Sequence, residues 1–74
     1  MSCCVRNDIE AVVVDSNNIL VTSNNKYYYF TNLSFDPSYF GKTIYITFTI
    51  KKVIQTKNNV SKIFDIIHIK NFHN

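Results

Sequence analysis

Lys26-Tyr27-Tyr28-Tyr29-Phe30 sets a cation in front of four consecutive aromatic side chains. Exposed aromatic faces stack on nucleobases and nearby ammonium groups neutralise phosphates, which together are the chemistry of single-strand nucleic-acid binding. The same side chains suit a protein interface, because tyrosine joins a large apolar body to a polar tip. A third reading is structural, with the tyrosines packing across strands against Tyr45 to stabilise a sheet. Lys51, Lys52 and Lys57 are further candidates for phosphate contact, and Lys62 shares the polar stretch that holds Lys57.

Catalytic chemistry has no comparable signature. Asp15, Asp36 and Asp65 are isolated carboxylates, and His68 and His73 have no nucleophile placed beside them by any motif. There is no glycine loop to cradle a phosphate and no local Ser, His and Asp arrangement. The chain therefore reads as non-enzymatic, with no cofactor. Cys3 and Cys4 are sequence neighbours, too strained a pair to form a framework disulfide. A zinc site using them with His68 and His73 fails the usual spacing of two to four residues between cysteine ligands. Reduced thiols and no metal are the expectation.

Apolar and β-branched residues fall in short runs between Asn, Ser and Lys clusters, and no segment keeps a helical period for long. The strands are predicted at 9–15, 19–23, 27–33, 43–51 and 63–69, the first three forming a meander. Turns fall at Ser16-Asn17-Asn18 and Asn24-Asn25, where asparagine tolerates a left-handed backbone. In TIYITFTIK, Ile44, Ile46, Phe48 and Ile50 alternate with polar or hydroxylated positions, the pattern of a half-buried antiparallel strand. After Lys51-Lys52 the alternation slips to Val53, which predicts a bulge or bend. QTKNNVSK, 55–62, reads as a basic polar loop. Between the third and fourth strands, Asp36 can cap a helical turn, Pro37 can open it and Gly41 can end it, with Tyr39 or Phe40 pinning it to the sheet.

Period two along 27–33 sends Tyr27 and Tyr29 to one face and Tyr28 and Phe30 to the other. Core packing therefore accounts for only half of the aromatic run. An all-β, five-stranded antiparallel barrel of OB type fits these elements best, because closure removes exposed edges. An SH3-like barrel is the competing architecture. Residues 1–8 are expected to be a flexible segment, 9–70 the barrel and 71–74 a frayed tail.

Seventy-four residues make a single small domain. Net charge is +3, unevenly spread. Residues 1–41 carry Arg6 and Lys26 against Asp8, Glu10, Asp15 and Asp36; residues 42–74 carry six lysines against Asp65. A basic second half fits a polyanionic partner and equally a solubilising surface. Asn, Ile and Lys, whose codons are AT-rich, dominate the composition, which suggests an AT-rich genome such as that of a virus, phage or organelle. No run approaches the roughly 18 apolar residues of a membrane span, and MSCCVRND lacks the features of a secretory signal, so an intracellular, cytoplasmic location is the default.

YYYFTNLS at 27–34 resembles the second ribonucleoprotein motif of cold-shock domains, and FGKTIYITFTI at 40–50 resembles that family's glycine-plus-strand segment. SKIFDIIHI sits where the family's fifth strand would lie. The resemblance implies an OB-type barrel that stacks bases on Tyr27, Tyr29 and Phe30, with Tyr28 and Leu33 in the core. The chain departs from the family in its second strand, where NNILVTSNN replaces the first ribonucleoprotein motif, and in having no tryptophan. The resulting expectation is a binding module for single-stranded RNA, ahead of DNA. Its site comprises Tyr27, Tyr29, Phe30 and Tyr45 with Lys26, Lys51, Lys52 and Lys57. The alternative is an interaction module or accessory subunit that presents the same tyrosine face or a sheet edge to a protein partner or a second copy.

Overall fold

The computed structural model describes residues 5–74, so Cys3 and Cys4 lie outside the described residues. It contains strands β1 (Val5–Asp15), β2 (Asn18–Val21), β3 (Lys26–Phe30), β4 (Thr43–Lys57) and β5 (Val60–His73). A lone 310 turn, Pro37–Tyr39, separates β3 from β4. The strands close into a barrel in the order β1-β2-β3-β5-β4, the five-stranded OB-like architecture that the sequence predicts. One pairing corrects that expectation: β3 and β5 run parallel, Tyr29 opposite Ile66 and Phe30 opposite Ile67. Because β4 returns antiparallel to β1 and β5 is the hairpin partner of β4, β5 necessarily points along β3. No described helix is long and apolar enough to cross a membrane.

The core follows strand phase. Ala11 and Val13, Ile19 and Val21, Tyr28 and Phe30, Ile44, Ile46 and Phe48, and Ile67 and Ile69 are buried at alternate positions along their strands. Phe35 joins them, meeting Phe30 edge-on with ring centres 5.7 Å apart. Two asparagines lock the elements around this core. The Asn17 side-chain amide donates to the carbonyls of Phe30 and Leu33, each at 3.1 Å. Asn32 donates to the Ile69 carbonyl at 2.8 Å and accepts from the Ile69 N–H at 3.0 Å, mimicking a further rung of the β3–β5 ladder.

The 310 turn is built as its sequence predicts. The Asp36 carboxylate accepts from the Ser38 N–H at 3.0 Å, Pro37 opens the turn, and Gly41 has φ 82°. Tyr39 supplies the anchor, packing on Phe35 and Phe72, whereas Phe40 is largely exposed.

Both chain ends extend the sheet further than the pattern suggested. β1 begins at Val5, ahead of the expected Ile9, with a bulge at Asp8 (φ 53°), and β5 continues to His73, where a frayed tail was expected. The ends hold one another. The Asp8 N–H donates to Thr47 Oγ1, His73 Nε2 lies 2.7 Å from the Asp8 carboxylate, and the His73 ring stacks on Tyr45 at 5.5 Å. The Asp8 hydrogen bond raises the His73 pKa above its ordinary 6.5. A raised imidazolium pKa contributes stability fully below the unfolded value, and that contribution is lost as pH climbs through the folded one. Asp8→Asn is expected to move the His73 ring titration, followed by NMR, back towards 6.5; an unchanged midpoint would show that the pair does not form in solution.

The slip read at Val53 is not a register slip. β4 and β5 pair without interruption from Phe48–Ile69 to Lys57–Val60, and the shift lies between Thr47 and Phe48. What changes at residues 51–53 is the environment, because the two strands leave the barrel and continue as a free-standing ribbon. QTKNNVSK is therefore a strand-turn-strand arm, where an irregular loop was expected. Asn58 (φ 53°) and Asn59 (φ 64°) make its two-residue turn, the left-handed pair that a tight hairpin requires and asparagine tolerates.

Candidate functional site

Directly opposed residues in a ladder share a face, so the register sorts β3, β4 and β5 into an inner and an outer side. The outer side carries Tyr27 and Tyr29 from β3, Phe64, Ile66 and His68 from β5, and Lys51, Val53, Gln55 and Lys57 from β4, with Val60 and Lys62 completing the arm. Tyr29, Val53, Phe64 and Ile66 line one open groove of about 410 Å³. A second depression of about 450 Å³, lined by Gln55, Lys57, Val60, Lys62 and Phe64, continues it along the arm. Tyr27, Tyr29 and Phe64 are 63%, 46% and 45% exposed. Three aromatic side chains thus stand on one surface with lysines at its margin.

Beyond Tyr29 and Ile66 the β3–β5 ladder stops, and the strands part around an opening lined by Lys26, Tyr27, Lys52, Ile63, Phe64 and Asp65. Its inner end is closed by charge. Asp65 accepts from Lys52 Nζ at 2.9 Å and from Lys26 Nζ at 3.0 Å, and these bonds hold its carboxyl below the ordinary range. Asp65 in turn raises the pKa of Lys26, whose ammonium also lies 5.2 Å from the centre of the Tyr28 ring. Asp65 lies on the inner row between Ile67 and Ile63, so the triad closes the barrel at the point where the ribbon leaves it. Both lysine side chains are at least half exposed, so these ion pairs add little to stability and act mainly to fix position.

Of the sequence-derived candidates, Tyr27, Tyr29, Lys51 and Lys57 share the outer surface. Lys26 and Lys52 are on the inner row, where both pair with Asp65. Phe30 is 0% exposed, which corrects its assignment as a stacking residue: period two turns it inward beside Ile67. Tyr45 belongs elsewhere. Its β5 partner is His73, whereas that of Tyr29 is Ile66, a separation of about 23 Å along the strand. Packing of Tyr27 or Tyr29 against Tyr45 is excluded by the same separation. Leu33 packs against the core as the resemblance implies.

Phe64 and Val53 were missed as candidate site residues. IFDIIHI looks apolar on both faces, which hides Phe64 among core residues until the pairing with Val53 and the parallel step to Tyr29 turn it outward. Lys51, Lys57 and Lys62 have no carboxylate partner among the described residues. Exposed His68 lies on the same outer side, and no cluster of three metal-ligating side chains occurs among the described residues. The surface offers aromatic faces and exposed cations. No protein-family model, curated protein or solved structure matches the chain.

Proposed function

We propose that the outer face of β3, β5 and β4 binds single-stranded nucleic acid, RNA ahead of DNA, without catalysis. The observation that carries this reading is the exposure of Tyr27, Tyr29 and Phe64 on one side of the sheet, with Tyr29 and Phe64 lining a groove that continues to Lys57 and Lys62, cations that have no carboxylate partner among the described residues. Bases stack on the aromatic rings, each worth about 1–3 kcal/mol, and are read with little sequence preference because every base presents a π-face. Phosphates follow the lysines of the arm.

Titration of short fluorescent oligonucleotides tests this. Three phosphate contacts to a single strand give a log–log slope of affinity against salt of about −2. Parallel RNA and DNA series order the two ligands. Flat titrations at low salt with purine and pyrimidine oligomers of both kinds would sink the proposal and return the outer face to a protein partner.

A further inference from the structure

Side chains on one face of a strand recur at every second residue, so the outer row of β5 reads Phe64, Ile66, His68. Tyr29 stands abreast of the middle position, because the parallel pairing sets it opposite Ile66. Flat rings therefore occupy three successive levels, Phe64, Tyr29 and His68, each about 6.6 Å along the strand from the last. Tyr27 lies across the opening from Phe64, at the first level. A third depression of about 250 Å³, with Lys51 and His68 in its wall, shares Val53 and Ile66 with the groove of Tyr29 and Phe64, so the surface continues from the arm to His68. The two histidines differ in their surroundings. His73 is held by Asp8 and stacks on Tyr45, whereas exposed His68 has neither a ring nor a carboxylate partner among the described residues.

Given the nucleic-acid reading of this face, on which the step depends, we infer that His68 is a stacking residue for the third of three bases and that the strand lies extended along β5. An extended polynucleotide advances by about the same distance per nucleotide as two residues of a β-strand, so successive bases meet Phe64, Tyr29 and His68 with none skipped. Imidazole serves unpaired bases as a platform alongside phenyl and phenol rings. A path across the strands has no such series: from Tyr29 it passes to Asn18 on β2, which offers no ring. Cations meet the backbone at both ends of the row, Lys57 and Lys62 beyond Phe64 and Lys51 in the depression of His68. Among the described residues the one carboxylate lining these three depressions is Asp65, which Lys26 and Lys52 outnumber.

NMR of the full chain titrated with RNA and DNA pentanucleotides reads the ring directly, because the chain holds only two histidines. Stacking beneath a base is expected to move the His68 ring protons upfield, while those of His73, away from the groove, stay in place. His68→Ala alters an exposed side chain and is expected to weaken binding at least about fivefold, the low end for one stacked base. His68→Phe, a ring without charge, is expected to restore it. Binding that leaves the His68 ring protons unmoved, or that His68→Lys restores and His68→Phe does not, overturns the stacking role of His68 and leaves the nucleic-acid reading standing. Flat titrations with both pentanucleotides remove that reading itself, and the role of His68 with it.

Discussion

Phe30→Ala is expected to lower the stability of the chain by about 3–5 kcal/mol and to move its urea midpoint sharply downward. Phe30 is completely buried, lies edge-on to Phe35 and sits beside Ile67 where β3 meets β5. Removing a buried phenylalanine costs about 3–5 kcal/mol, the transfer loss being joined by a cavity that its neighbours only partly fill. At ~0.05–0.15 kcal/mol per residue, a domain of 74 residues has about 4–11 kcal/mol of total stability. One side chain therefore carries a large share of the whole. Urea titration followed by far-UV circular dichroism reads the loss directly. A variant with a midpoint close to the parent's would place Phe30 outside the core and reopen its assignment as a stacking residue.

Tyr27→Ala/Phe64→Ala is expected to show the reverse: an intact fold and at least a thirtyfold loss of oligonucleotide affinity. Both side chains are substantially exposed and flank the opening between β3 and β5, so truncation removes little buried area. At about 1 kcal/mol per stacked base, the low end of the range, two lost stacks amount to about 2 kcal/mol, close to a thirtyfold change. Tyr45→Ala is the matched control, since Tyr45 stacks on His73 away from the groove. Affinity unchanged in the double variant, or lost equally in Tyr45→Ala, would remove the outer groove from consideration. Retained binding of RNA with loss of DNA would instead refine the ligand.

The two expectations separate residues that are neighbours in the aromatic run. Side chains at successive strand positions point to opposite faces, so Tyr29 and Phe30 differ in exposure by nearly half their surface while differing in position by one residue. The resemblance to cold-shock domains implied stacking for Phe30, and alternation implied burial; the parallel pairing of Phe30 with Ile67 decides for alternation.

The sequence by itself determined the class of fold, the 310 turn and the core faces of β3 and β4. These depend on local chemistry: alternation in TIYITFTI, the Asp36 cap, Pro37, and the left-handed backbone at Gly41. It also singled out Tyr27 and Tyr29, because strand phase is readable wherever one face of a strand is apolar, and Lys51 and Lys57 by their charge alone. The tertiary structure decided what depends on partners distant in sequence. Asp65 engages Lys26 from 39 positions away and Lys52 from 13, which draws two of the candidate lysines onto one carboxylate. Phe64 becomes a groove residue only when β5 lies parallel to β3. Residues 55–62 have the composition of a polar loop, yet pairing within this stretch makes it a ribbon with Lys57 and Lys62 on one face and Thr56 and Ser61, next to Ile54 and Ile63, on the other. Hydrophobic periodicity reports which way a side chain points, and only the packed neighbours determine whether it meets a core, a counter-charge or open solvent.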